Sequence, residues 1–224
     1  MYQSLFLLEF IALFLLSKLL TKSLLKLFLR ITKSDKIAIS LLVFLFFPGT
    51  VVHEMAHFLS AGLLLVKTGK MELFPKVTGE EIRLGSVEVA KTDPFRRTII
   101  GVAPLLLGLT VIFGSLYYLQ VYHVSNISII SLLLYVIFTV GNTLFSSKKD
   151  LEGVLEFFLA VALLTAAFFV IKLAVLQIVL QILQRNEVVN FFKTADLFIL
   201  APIFLDLGII FFARILSGEK LIDS

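Results

Sequence analysis

The chain has 224 residues, 59% of them hydrophobic and 16% charged, with a formal net charge of +4 and a mean hydropathy of +1.03. Soluble domains carry about 25% charged residues, so an ordinary soluble domain is excluded and a membrane protein is indicated. The absence of cysteine removes disulfides and thiolate metal sites, and three histidines are too few for a many-histidine di-iron oxygenase.

Apolar runs of spanning length fall at about 3–29, 37–66, 97–121, 127–146, 151–183 and 194–215. They predict an all-α polytopic membrane protein of about six transmembrane helices, a single integral-membrane domain over 1–224. The N-terminal run has no basic n-region and no A-x-A cleavage site, so it is expected to remain as a span. It carries a basic stripe, Lys18, Lys22, Lys26 and Arg30, at i, i+4 spacing. Either the second half of this helix lies along the interface or its lysines snorkel.

The second run holds His53-Glu54-Met55-Ala56-His57, flanked by Leu41–Val52 and Phe58–Val66 almost without polarity. Four residues separate the histidines, so both imidazoles leave one helix face. That geometry suits two corners of a tetrahedral zinc site, with the glutamate placed to act as general base on water. Chance explains many five-residue motifs, but ionisable groups within a span are costly and usually functional.

The polar segment 67–97 contains Gly69, Pro75, Gly79 and Gly85 and alternates in Ile82-Arg83-Leu84 and Val87-Glu88-Val89. This predicts a membrane-associated β-hairpin, either a plain connection or a strand edge lining the site and open to an extended peptide. Ala103-Pro104 lies in the third run, and His123 falls in the 122–126 turn, where it reads as an interfacial residue. With six spans, both termini, the hairpin and the 147–150 turn share one side. Lys67, Lys70, Lys76, Arg83, Lys91, Arg96, Arg97, Lys148 and Lys149 all lie there. The other side carries Arg30, Lys33, Lys36, Arg185 and Lys193, so the positive-inside rule makes the termini and the hairpin cytoplasmic.

Two histidine ligands need a third protein ligand, with the fourth position left open. Carboxylates must supply it, and Glu9, Asp93, Asp150, Glu152, Glu156 and Asp206 are the candidates. Asp150 stands out because it sits at the break between the fourth and fifth spans, after Gly141-Asn142-Thr143-Leu144-Phe145-Ser146-Ser147-Lys148-Lys149. Irregular backbone at membrane depth is tolerated only where it is buried or lines a cavity. Asp150 also reads as an ordinary helix cap, and Asn142 as a polar contact between helices. Asp206, with Pro202 and Gly208, reads as a gate or a contact within the bundle.

The chain resembles the site-2 proteases, intramembrane zinc metalloproteases of the M50 type. Their HExxH motif is matched by His53, Glu54 and His57. Their second motif, Asn-x-x-Pro-x-x-x-Leu-Asp-Gly, is matched in its Asn-to-Asp spacing by Asn142 and Asp150. Phe145, Lys149 and Leu151 depart from it, and Ser147 to Gly153 looks more like the S-x-x-D-x-x-G form of compact members. Ala103-Pro104 is a faint echo of a Gly-Pro motif. The resemblance covers about 45–155, within a motif core of about 37–155. It implies one Zn²⁺ per chain held by His53, His57 and Asp150, with Glu54 as base. Asn142 would hydrogen-bond the substrate backbone or the developing oxyanion.

The expected function is therefore a multi-pass membrane metalloendopeptidase without a PDZ domain, in a prokaryotic plasma membrane, with its active site toward the cytoplasm. Its partners would be the bilayer and a transmembrane protein, or signal-peptide remnant, as substrate; no nucleic acid is implied. The alternatives are a non-proteolytic zinc-binding scaffold, which has no need of Glu54, and an ion or proton transporter, for which no internal repeat is found.

Overall fold

The computed structural model describes residues 2–73, 76–78, 81–83, 85–123, 125–144, 156, 159–164, 166–167, 181 and 184–217. Among the described residues, five long helices dominate: α1 (Tyr2–Thr32), α2 (Asp35–Leu63), α3 (Pro94–Val121), α4 (Ile127–Thr143) and α5 (Asn186–Ser217). Among the described residues, α2, α5 and the 94–119 stretch of α3 are long and apolar enough to cross a membrane; α4 is apolar but shorter, at 17 residues. Helices are the expected form, because in hydrocarbon they satisfy every backbone donor and acceptor internally.

Local sequence sets most helix ends. Asp93 caps α3, accepting the Arg96 amide at 3.0 Å, and Pro94 takes the first helical position. Asn126 caps α4 through the amides of Ser128 and Ile129. The C-terminus of α2 closes with Leu65 at φ 56°, Leu65 N–H on Gly62 O and Val66 N–H on Ala61 O. This is a Schellman motif, sealed by the contact of Val66 with Ala61 and Ile100. Lys33 and His123 hold the same left-handed conformation after α1 and α3.

The hairpin after α2 forms as predicted, in nested form. Strand β1 (Thr68–Glu72) pairs antiparallel with β4 (Ser86–Val89), matching Met71 with Val87 and Glu72 with Ser86. Inside it, β2 (Lys76–Thr78) pairs with β3 (Glu81–Arg83), matching Val77 with Ile82. Both β1 and β4 pack on α2.

Contacts fix the helix directions. Tyr135 OH donates to Leu45 O at 2.8 Å, Phe46 stacks on Phe138 at 5.8 Å, and a Cβ on Gly49 would strike the Thr139 carbonyl. Sequence numbers rise together along these contacts, so α2 and α4 are parallel. Phe138 clusters with Ile210, Asn142 bonds Asp206, and Gly141 faces Pro202, so α4 and α5 are antiparallel. Leu13 clusters with Ile199 and Ile203, and Leu20 and Leu24 with Ile210, so α1 and α5 are parallel.

These directions correct the expected topology. Helix α4 ends, and α5 begins, at the hairpin end of the bundle. Leu144 and Arg185 thus lie at the same end of the bundle, whereas a single crossing over 151–183 would put them at opposite ends. The start of α1 shares the hairpin side with Arg185, whereas Ser217 ends on the opposite side with the 33–34 and 122–126 turns. Six alternating spans with both termini on one side do not fit this arrangement.

Candidate metal centre

The histidines lie toward the hairpin end of α2. His53 and Glu54 are each 3% exposed, Thr50 is buried one turn earlier, and His57 is half-buried. Met55, Phe58 and Leu59 point outward. The motif's polar side chains thus share the inward face that the helical period assigns them. The two imidazole rings meet edge to face, with centroids 4.9 Å apart and an interplanar angle of 83°.

His57 is oriented by α3, its Nδ1 lying 2.9 Å from the Ile100 carbonyl oxygen. A carbonyl only accepts, so Nδ1 carries the hydrogen and the lone pair lies on Nε2. This matches the usual outer-shell support of a metal-ligating histidine. The hairpin reaches the site through Gly85. A Cβ there would fall 3.0 Å from Glu54 Cγ, 3.1 Å from Glu54 Oε1 and 2.9 Å from Thr50 Cγ2. The chain can approach the carboxylate this closely only because residue 85 has no side chain.

Asp150 and Glu152 lie outside the described residues, and among those described no third His, Asp or Glu joins the two histidines as a ligand group. The other candidate carboxylates have their own settings. Asp93 is the α3 cap. Glu156 accepts from Arg97 Nη2 at 2.6 Å and from Thr98 Oγ1 at 3.2 Å. Glu9 is buried in α1. Asp206, fully buried in α5, accepts from Asn142 Nδ2 at 2.7 Å. His123 is exposed in its turn, away from the bundle interior.

Glu156 and Asp206 are thus each paired across the bundle. Asn142 Nδ2 also donates to Phe138 O at 3.0 Å, so both amide hydrogens are engaged within the bundle. A substrate seeking those donors would compete with two existing bonds. Asn142 Oδ1 and Asp206 Oδ2 are buried without a hydrogen-bond partner among the described residues.

Two contacts fix the described residues near this end of the bundle. Leu144 is buried at the end of α4, and Glu156 is tied to the first turn of α3, which also carries the Ile100 carbonyl. No family model, no curated protein and no solved structure matches this chain.

Proposed function

We propose that the chain is a zinc-dependent intramembrane endopeptidase of the site-2 protease kind, cutting membrane proteins or signal-peptide remnants in or near their transmembrane segments. The observation that carries this reading is the inward-facing His53–Glu54–His57 face within an apolar helix, with the Nδ1–H of His57 held by a backbone carbonyl. That arrangement has little purpose in a helix that merely packs.

His53, His57 and Asp150 would hold the zinc, one ion per chain. When bound, the ion supplies Lewis acidity at the scissile carbonyl and makes water a competent nucleophile at neutral pH. Glu54 would serve as the general base toward the attacking water and as the proton donor to the leaving amine. Its burial keeps the carboxylate in a low-dielectric setting, and the missing side chain at Gly85 lets the hairpin backbone close against it. An unwound substrate segment would pair with an edge of the β1–β4 hairpin, exposing carbonyls that a helix hides. Asn142, whose donors go to Phe138 and Asp206, supports the end of α4 that leads to Asp150.

The hairpin side carries most of the basic residues, and Arg185 adds to it, so positive-inside places the site toward the cytoplasm. The C-terminal end of α5 then faces the opposite side.

The deciding experiment is Glu54→Gln. The variant is expected to keep about one zinc per chain while cleavage of a co-expressed single-span substrate falls on the order of 10²–10⁴-fold. Undiminished cleavage, or full zinc occupancy after replacement of both His53 and His57, overturns the assignment.

A further inference from the structure

Within an α-helix the carbonyl of residue i accepts the amide of residue i+4. For Ile100 of α3 that residue is Pro104, which has no N–H. The Ile100 carbonyl is therefore left without its helical donor by the sequence of its own helix. It belongs to a buried residue, so water is a poor substitute. The atom that fills the vacant place is Nδ1 of His57, 2.9 Å away on α2. Any other residue at 104 would bring an N–H to share this acceptor and draw its lone pair along the helix axis.

We infer that Pro104 is a positioning residue for the metal centre: by withholding its amide it reserves the Ile100 carbonyl for His57, fixing the tautomer and aim of that ring. The proline is buried and one turn beyond the carbonyl it frees, so it acts through the backbone and touches no reacting atom. A proline inside a helix is otherwise a liability. Its position four residues after the acceptor that His57 uses accounts for its presence here. The inference rests on the zinc reading for its effect on metal binding, but not for its effect on the ring.

Two measurements test it. The wild-type protein, labelled with ¹⁵N in its three histidines and stripped of zinc, should show His57 protonated at Nδ1. The Nε2-protonated form overturns the inference with no variant needed. Pro104→Ala should melt at the same or a higher temperature, yet bind zinc about 10–100-fold more weakly and show mixed His57 tautomers. Unchanged zinc affinity with an unchanged tautomer in that variant also overturns it. If wild-type protein binds no zinc while His57 still responds to Pro104→Ala, the zinc reading fails and the positioning by Pro104 stands.

Discussion

Individual side chains carry the chemistry of this protein in two settings, one shielded and one wet. His53 and Glu54 are shielded, each 3% exposed on the inward face of α2. Asp93 is the wet counterpart. The Arg96 amide that it accepts, with the Arg96 side chain 3.3 Å away, holds its carboxyl below the usual aspartate range. A lowered folded value means that the capping contribution is complete above the ordinary aspartate pKa of about 3.9 and is lost as pH falls through the folded one. Asp93→Asn keeps an acceptor for the amide but does not titrate. Thermal melts below about pH 4 should therefore be flatter for Asp93→Asn than for wild type. Equal slopes would remove Asp93 from the acid response.

Between elements, α2 and α4 come together backbone to backbone at Gly49. Gly49 sits against the Thr139 carbonyl and the Thr143 hydroxyl, so backbone meets backbone one turn before His53. Thr139 and Thr143 turn their hydroxyls onto their own helix, at Val136 O and Thr139 O, which keeps that surface smooth. Gly114 of α3 has open space where a Cβ would go. The same substitution should thus have opposite signs at the two places. Gly114→Ala gains helix propensity worth about 1 kcal/mol. Gly49→Ala should lose about 1–3 kcal/mol by overpacking, read as denaturation midpoints in detergent. Gain at both positions would contradict the α2–α4 contact.

Across the whole molecule, the parallel run of α1 and α5 decides which ends lie together. Thr92 and Arg185 belong to the hairpin side, Ser34 and Ser125 to the other. The chain has no cysteine, so single-cysteine variants at these four positions give a direct reading. In sealed vesicles, a membrane-impermeant maleimide should label Thr92→Cys and Arg185→Cys from one side and Ser34→Cys and Ser125→Cys from the other. Labelling of Arg185→Cys together with Ser125→Cys would restore simple six-span alternation.

The sequence by itself determined what depends on neighbours along the chain. The i, i+4 spacing put His53 and His57 on one face; Asp93-Pro94 and Asn126 set helix starts; the glycine-punctuated alternation of 67–97 made a hairpin. These are short-range effects, governed by backbone geometry and by which face is apolar. The tertiary structure decided which faces meet. His57 finds Ile100 across 43 residues, Glu156 finds Arg97 across 59, and Asn142 finds Asp206 across 64. An apolar stripe states that a face will be buried but not against which helix, because lipid and a neighbouring helix are almost equally apolar partners. For the same reason the sequence could count apolar runs but not orient them. The direction of α5 became visible only where Ile199, Ile203 and Ile210 packed against Leu13, Leu20 and Leu24.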